Sequence, residues 1–237
     1  MKRILTFFLL SLLVSCTPRD LQNVLDTVTG TSTELTGIEV SGGLKEALNQ
    51  GITKGVDILS QKDGYFKSAY KILLPEEARK VTDKLQNIPG FTDVENVILE
   101  KINRGAEDAA KKATPIFVDV IKAMTFNDAM KILMGEDNAA TVYLHGTTNQ
   151  QLYQEFNPVI VESLDKYNAR KYWADAVNAY NKIPFVERVN PDLDDYITNQ
   201  ALEGLFSMVT KEEINIRKNV NARTSDLMRK VFARQDQ

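Results

Sequence analysis

The side chains able to do chemistry are few, and their spacing argues against most familiar reactions. The single histidine, His145, stands before Gly146 near an expected helix end, where an imidazole suits the negative pole of the helix dipole. It has no second histidine to share a metal or a triad with. No G-x-S-x-G occurs, and the one S-x-x-K, Ser163-Leu164-Asp165-Lys166, lacks the S-D-N and K-T-G that would complete a serine nucleophile site, so it reads as helix surface. Gly42-Gly43 is neither preceded by a strand nor followed by a phosphate-loop Gly-Lys pair. Carboxylates remain as the plausible reactive groups. Asp192, Asp194, Asp195 and Glu203 imitate parts of a calcium loop, but Tyr196 and Ile197 occupy positions that need an oxygen ligand and a turning glycine. Asn190-Pro191-Asp192 followed by Asp194 and Asp195 is better explained as a cap, a first-turn proline and acids that favour the positive end of a helix. Asp137 has the same reading after Gly135, as has Asp128 three residues after Thr125. No catalytic residue, metal site or cofactor is therefore assigned.

Binding is a better use of what remains. Tyr143, Tyr153, Phe156, Tyr167, Tyr172, Trp173, Tyr180, Phe185 and Tyr196 fall within about fifty residues, and rings with a polar edge serve cores, interfaces and ligand pockets alike. A basic C-terminal stretch containing Arg217, Lys218, Arg223 and Arg229 faces these acids in composition. The candidate binding surface is Asp128, Asp137, Trp173, Asp194, Asp195, Arg223 and Asp226.

One cysteine, Cys16, ends an apolar run from Ile4 to Val14 that follows Lys2 and Arg3. The run is shorter than the roughly twenty residues a membrane span needs, and reads as an export signal. Its exit, Leu13-Val14-Ser15-Cys16, resembles the lipobox of bacterial lipoproteins, which implies cleavage before Cys16 and acylation of its thiol. Two or three acyl chains, at about 0.8 kcal/mol per buried methylene, would hold the protein to a membrane. Thr17 is not the aspartate associated with inner-membrane retention, so an outer-membrane anchor facing the periplasm is expected. Residues 1–15 form the signal, 16–36 the lipidated Cys and a tether rich in Thr and Ser, and 37–237 a folded domain. Without residues 1–15 the net charge falls from −3 to −5, and Lys and Arg do not cluster, which excludes nucleic acid as a partner.

The elements that must position these groups all read as helices. Leu44, Leu48, Ile52, Val56 and Leu59 recur at about fours, along a helix whose glycines, Gly43 included, suggest a close neighbour. Pro75-Glu76-Glu77 starts a helix that ends near Leu85. Thr92 caps the next, whose stripe runs from Val94 to Ala110 and narrows to Gly105, Ala106, Ala109 and Ala110. Pro115 breaks it, and a shorter helix carries Ile116 to Met124. Thr125 caps another, stopped by Gly135. Further helices are expected at 137–144, 148–166 with a kink at Pro158, 169–182, 191–217 and 224–234. With no alternating strand anywhere, the fold class is all-α, a multi-helix bundle.

The run Pro115-Ile116-Phe117-Val118-Asp119 through Met124-Thr125-Phe126-Asn127-Asp128-Ala129, with Gly135-Glu136-Asp137-Asn138-Ala139-Ala140-Thr141, Pro184-Phe185-Val186, Asp192-Leu193-Asp194-Asp195-Tyr196 and Ala222-Arg223-Thr224-Ser225-Asp226-Leu227, resembles a bacterial lipoprotein family known as domain of unknown function 4197. The resemblance implies an exported helical protein and no assigned activity. The functional expectation is a non-enzymatic, membrane-anchored interaction module with an envelope protein as partner, using residues 143–229. A carrier of an apolar ligand in a helical cavity is the alternative, and a carboxylate-based hydrolase a distant third.

Overall fold

The stripe from Leu44 to Leu59 lies on α1 (Gly37–Leu59), and every member of it is buried. The computed structural model of the chain describes residues 35–233 and 236; Cys16, the signal and the tether lie outside them. The elements that follow are α2 (Glu76–Leu85), α3 (Val94–Ala110), α4 (Ala113–Ala123), α5 (Phe126–Leu133), α6 (Ala139–Lys166), α7 (Ala169–Asn181), α8 (Asp194–Lys218), a 3-10 turn at Val220–Ala222, and α9 (Asp226–Phe232). The fold is an all-α bundle, with no strand among the described residues. Residues 37–237 form one compact unit.

At its centre α6 is sandwiched between α3 and α8, while α1 covers α8 and also meets α4, α5 and α9. Small residues make these approaches close. A β-carbon on Gly105 would lie 3.7 Å from the Ile160 carbonyl oxygen of α6, so the narrow stripe of α3 marks helix–helix contact. Gly43 is more demanding, since a β-carbon there would meet a Val231 methyl of α9 at 2.6 Å. The loss of helix propensity at Gly43 is the physical cost of seating α9 on α1.

Four boundaries differ from the sequence expectation. α3 is capped at Asp93, not Thr92. The chain breaks at Lys111-Lys112, ahead of Pro115, which sits in the first turn of α4 where its missing N–H is harmless. Residues 139–166 are one helix, running unbroken through His145-Gly146 and Pro158. A proline inside a helix costs about 3 kcal/mol, and here the fully buried Leu152, Phe156 and Ile160 on either side hold it in register. His145 is consequently mid-helix, its ring 4.6 Å from that of Phe206. Finally, α8 begins at Asp194, because Asn190 and Asp192 turn the backbone before it.

Two buried polar clusters fasten the bundle. Glu213 of α8 accepts from the backbone N–H groups of Ala140 and Thr141 at 2.9 and 2.8 Å, so a side chain from another helix satisfies the first turn of α6. Its partner Arg217, at 2.9 Å, donates to the carbonyls of Ile132 and Leu133 at the end of α5. One ion pair thereby welds the α5–α6 corner to α8. Elsewhere, Asn103 of α3 clasps both backbone groups of Ile72, and Glu107 accepts from Tyr65 and Phe66, holding residues 60–74 across α3.

Candidate binding cavity

α7 follows α6 through Asn168, whose φ of 52° is a left-handed conformation that asparagine tolerates better than most residues. The turn presents Ala169, Trp173, Ala176 and Val177 to the interior, and Trp173 is 2% exposed. Beyond α7 the chain is folded back by its own amides. Asn181 donates to the Val189 carbonyl at 3.1 Å and accepts from its N–H at 3.0 Å, imitating a backbone pair. Asn190 and then Asp192 each accept from the N–H two residues on, at 3.0 Å, forming consecutive Asx turns. These turns hang Pro191 and Leu193 opposite Trp173.

Between them lies a cavity of about 340 Å³. Ile98 and Ile102 of α3, Leu164 of α6 and Ile197 of α8 form its apolar walls, with Trp173 and Ala174 from α7. Arg170, Lys171, Asp192 and Asp194 line its rim. Arg170 spans the rim from Asp165 at 3.1 Å to Asp194 at 3.3 Å. Burial pushes the Asp194 carboxyl above the ordinary carboxylate value; Arg170 opposes this and the charges of Asp192, Asp165 and Asp195 reinforce it. The indole Nε1 of Trp173 is buried and has no hydrogen-bond acceptor among the described residues. Buried indole N–H groups normally find one, and leaving such a donor unmatched costs about 1–3 kcal/mol. The size, the apolar lining and the small number of polar groups are those of a small-molecule site.

Of the residues proposed from sequence, Trp173 and Asp194 meet at this cavity. Asp195 is the next residue along α8, and its carboxylate accepts from the Tyr153 hydroxyl, which raises the phenol pKa. The others lie elsewhere and have local work. Asp128 completes a capping box with Thr125, whose hydroxyl and N–H hold its carboxyl below the usual range. Asp137 pairs with Lys218, as the juxtaposition of acidic helix starts and a basic C-terminal stretch suggests. Arg223 is 1% exposed and donates to the carbonyls of Ile216 and Arg217 at the end of α8 and to Asp236. It closes a helix and is not displayed for a ligand. Asp226 pairs with Arg229 one turn along α9. Sequence reasoning missed Ile98, Ile102, Leu164, Arg170, Pro191 and Ile197, which come from separate stretches. The available signals were Trp173 and Asp194. Among the described residues no group of three or more His, Cys, Asp or Glu is placed to hold a metal ion, and no helix is long and apolar enough to cross a membrane.

Comparison with known proteins places an all-α domain of this kind in a recognised class. Residues 34–233 match the family described as "Protein of unknown function (DUF4197)", and the chain belongs to that family. A 171-residue stretch is also 26% identical to the ATP-dependent zinc metalloprotease FtsH of Endomicrobium trichonymphae, over 63% of this chain and 27% of that protein. The chain thus spans about a quarter of that relative's length. The paired histidines of an H-E-x-x-H zinc motif are not in this chain, whose one histidine precedes Gly146. No solved structure matches.

Proposed function

We propose that this chain is an exported, lipid-anchored protein of the bacterial envelope that acts by binding, with the Trp173 cavity as its binding site and a small apolar molecule as its ligand. The observation that carries the reading is a preformed, largely apolar cavity of about 340 Å³ walled by side chains from four helices. Support for the anchor is Cys16 with the apolar run before it, and Thr17, which is not the retention aspartate, favours an outer-membrane position facing the periplasm. Catalysis is not part of the proposal, because the carboxylates nearest the cavity are engaged with Arg170, with Tyr153 or with backbone N–H groups.

Mass spectrometry of the lipidated full chain, extracted from its own cells, tests this. A small apolar compound should accompany the wild-type protein at near-equal amount and be absent from an Ala174→Phe variant, in which a ring occupies the cavity. Equal recovery from both proteins would refute the site. A metabolic label on Cys16 that disappears in Cys16→Ser tests the anchor.

A second reading has one observation in its favour. Phe185 is fully exposed at a positive φ of 65°, a costly place for a large apolar side chain, and a partner protein in the envelope would cover it. Crosslinking to one reproducible protein, lost in Phe185→Ser, would establish that role.

A further inference from the structure

Apolar side chains are left in water where α1 begins. We propose that the corner formed by the first turn of α1, the end of α4 and α5 is a membrane-contact face, seated on the surface of the bilayer that carries the Cys16 anchor. The face is separate from the Trp173 cavity, and its assignment rests on the lipid-anchor reading.

Ile38, the second residue of α1, is 87% exposed. Next to it, a β-carbon on Gly37 would meet the Phe126 ring at 3.0 Å, and Phe126 is itself 47% exposed at the start of α5. Met130 and Met134 follow Phe126 at four-residue spacing, which keeps them on one side of α5, and Met134 is 68% exposed. Neighbouring apolar side chains of this kind mark a contact surface, where a single exposed one would not. Cations stand around them. Lys45, two turns beyond Ile38 on α1, donates to the Lys122 carbonyl at the end of α4 at 2.9 Å, and Lys122 and Lys131 are exposed. Asp119 lies 4.0 Å from Lys122, and the Asp128 carboxylate is turned back onto Thr125. Apolar groups set among lysines suit the boundary between acyl chains and headgroups, because a lysine stem lies along the apolar layer while its ammonium reaches the phosphates. Position in the chain singles out the bilayer as the partner. A lipid on Cys16 would be joined to the domain through about twenty residues that enter it at Gly37, and Ile38 is the first exposed large apolar side chain after that entry. A tether gives the face an effective concentration in the millimolar range at the bilayer, so a contact too weak to hold a free protein there is populated in the anchored one.

The test moves the single tryptophan onto this face. The lipidated full chain carrying Trp173→Phe and Phe126→Trp is extracted from its own cells and reconstituted into vesicles of phosphatidylethanolamine and phosphatidylglycerol. A comparison protein carries Ile58→Trp in place of Phe126→Trp, at an exposed position twenty residues beyond Ile38 on α1 and therefore about 30 Å away. Bromines near the top of the acyl chains should quench the Phe126→Trp emission by about half and change the Ile58→Trp emission by less than about a tenth, since the bromines meet only groups seated about 5–10 Å into the boundary. Adding Ile38→Asp and Met134→Asp should remove the quenching and leave flotation with the vesicles unchanged. If the protein floats but the two reporters are quenched equally, or neither is, the contact face is wrong while the anchor stands. If the Phe126→Trp reporter is unquenched in vesicles yet shielded from iodide in native membranes, a protein covers the corner and the bilayer contact is likewise wrong. If the protein does not float, the anchor reading fails and the face with it.

Discussion

Replacing Glu213 by Ala breaks a buried ion pair that ties α5 and α6 to α8. In the native chain Glu213 holds two backbone N–H groups of α6, the Thr141 hydroxyl at 2.8 Å and the Arg217 guanidinium, and Arg217 is 4% exposed at its side chain. Its loss strands a buried cation and uncaps the first turn of a 28-residue helix. Breaking a buried pair from one side costs about 3–5 kcal/mol, a large share of the roughly 5–15 kcal/mol that holds a typical domain together. At roughly 2–4 °C per kcal/mol for a domain of this size, Tm should fall by about 6–20 °C in scanning calorimetry. The paired replacement Glu213→Leu with Arg217→Met removes both charges and refills the volume. It should recover most of that loss, because the single variant suffers chiefly from the charge left behind. A single-variant decrease under about 3 °C, or a double variant worse than the single, would refute the reasoning.

Other outcomes follow from the same geometry. Gly146 sits mid-helix with nothing within 4 Å of an added β-carbon, so Gly146→Ala should raise the urea midpoint, with up to about 1 kcal/mol of added stability. Gly43→Ala should lower stability by about 1–2 kcal/mol despite the same gain in propensity, since it collides with Val231, and Val231→Ala in that background should reverse part of the loss. Acid titration followed by circular dichroism should show two opposed effects. Asp63, Asp128, Asp226 and Asp236 are held below the ordinary value of 3.8 by Arg104, Thr125, Arg229 and Arg223, so their contribution is present above that pH and is lost as pH falls through their lowered values. Asp194 is raised above 3.8 by burial, so its contribution is present below 3.8 and fades as pH rises through the higher folded value. Asp194→Asn should abolish that fading and leave the acid limb unchanged.

Much of the fold is readable in the chain because helices announce themselves locally. The four-residue recurrence from Leu44 to Leu59, the Pro75-Glu76-Glu77 start and the Thr125–Asp128 capping box each depend on residues within a few positions of one another, and each appears where the pattern puts it. The failures are places where distant contacts override local preference. Gly146 and Pro158 weaken a helix in isolation, yet α6 continues through both because its flanking apolar residues are packed from α3 and α8. Asn190-Pro191-Asp192 resembles a helix start, and consecutive Asx turns postpone that start to Asp194. The cavity was legible only as Trp173 and Asp194. Its walls come from α3, α6, α7 and α8, and no spacing rule joins Ile98 to Leu193 across nearly a hundred residues. Arg223 looked like a surface cation because burial of a charge that caps a helix end depends on a fold the sequence does not display.

The most direct test of a Trp173 binding site is the emission of that lone tryptophan while an apolar extract of the cell envelope is titrated into the full chain. The binding account predicts a saturable change in intensity or wavelength that is absent in Ala174→Phe. No change, or an identical change in the filled-cavity variant, would contradict it.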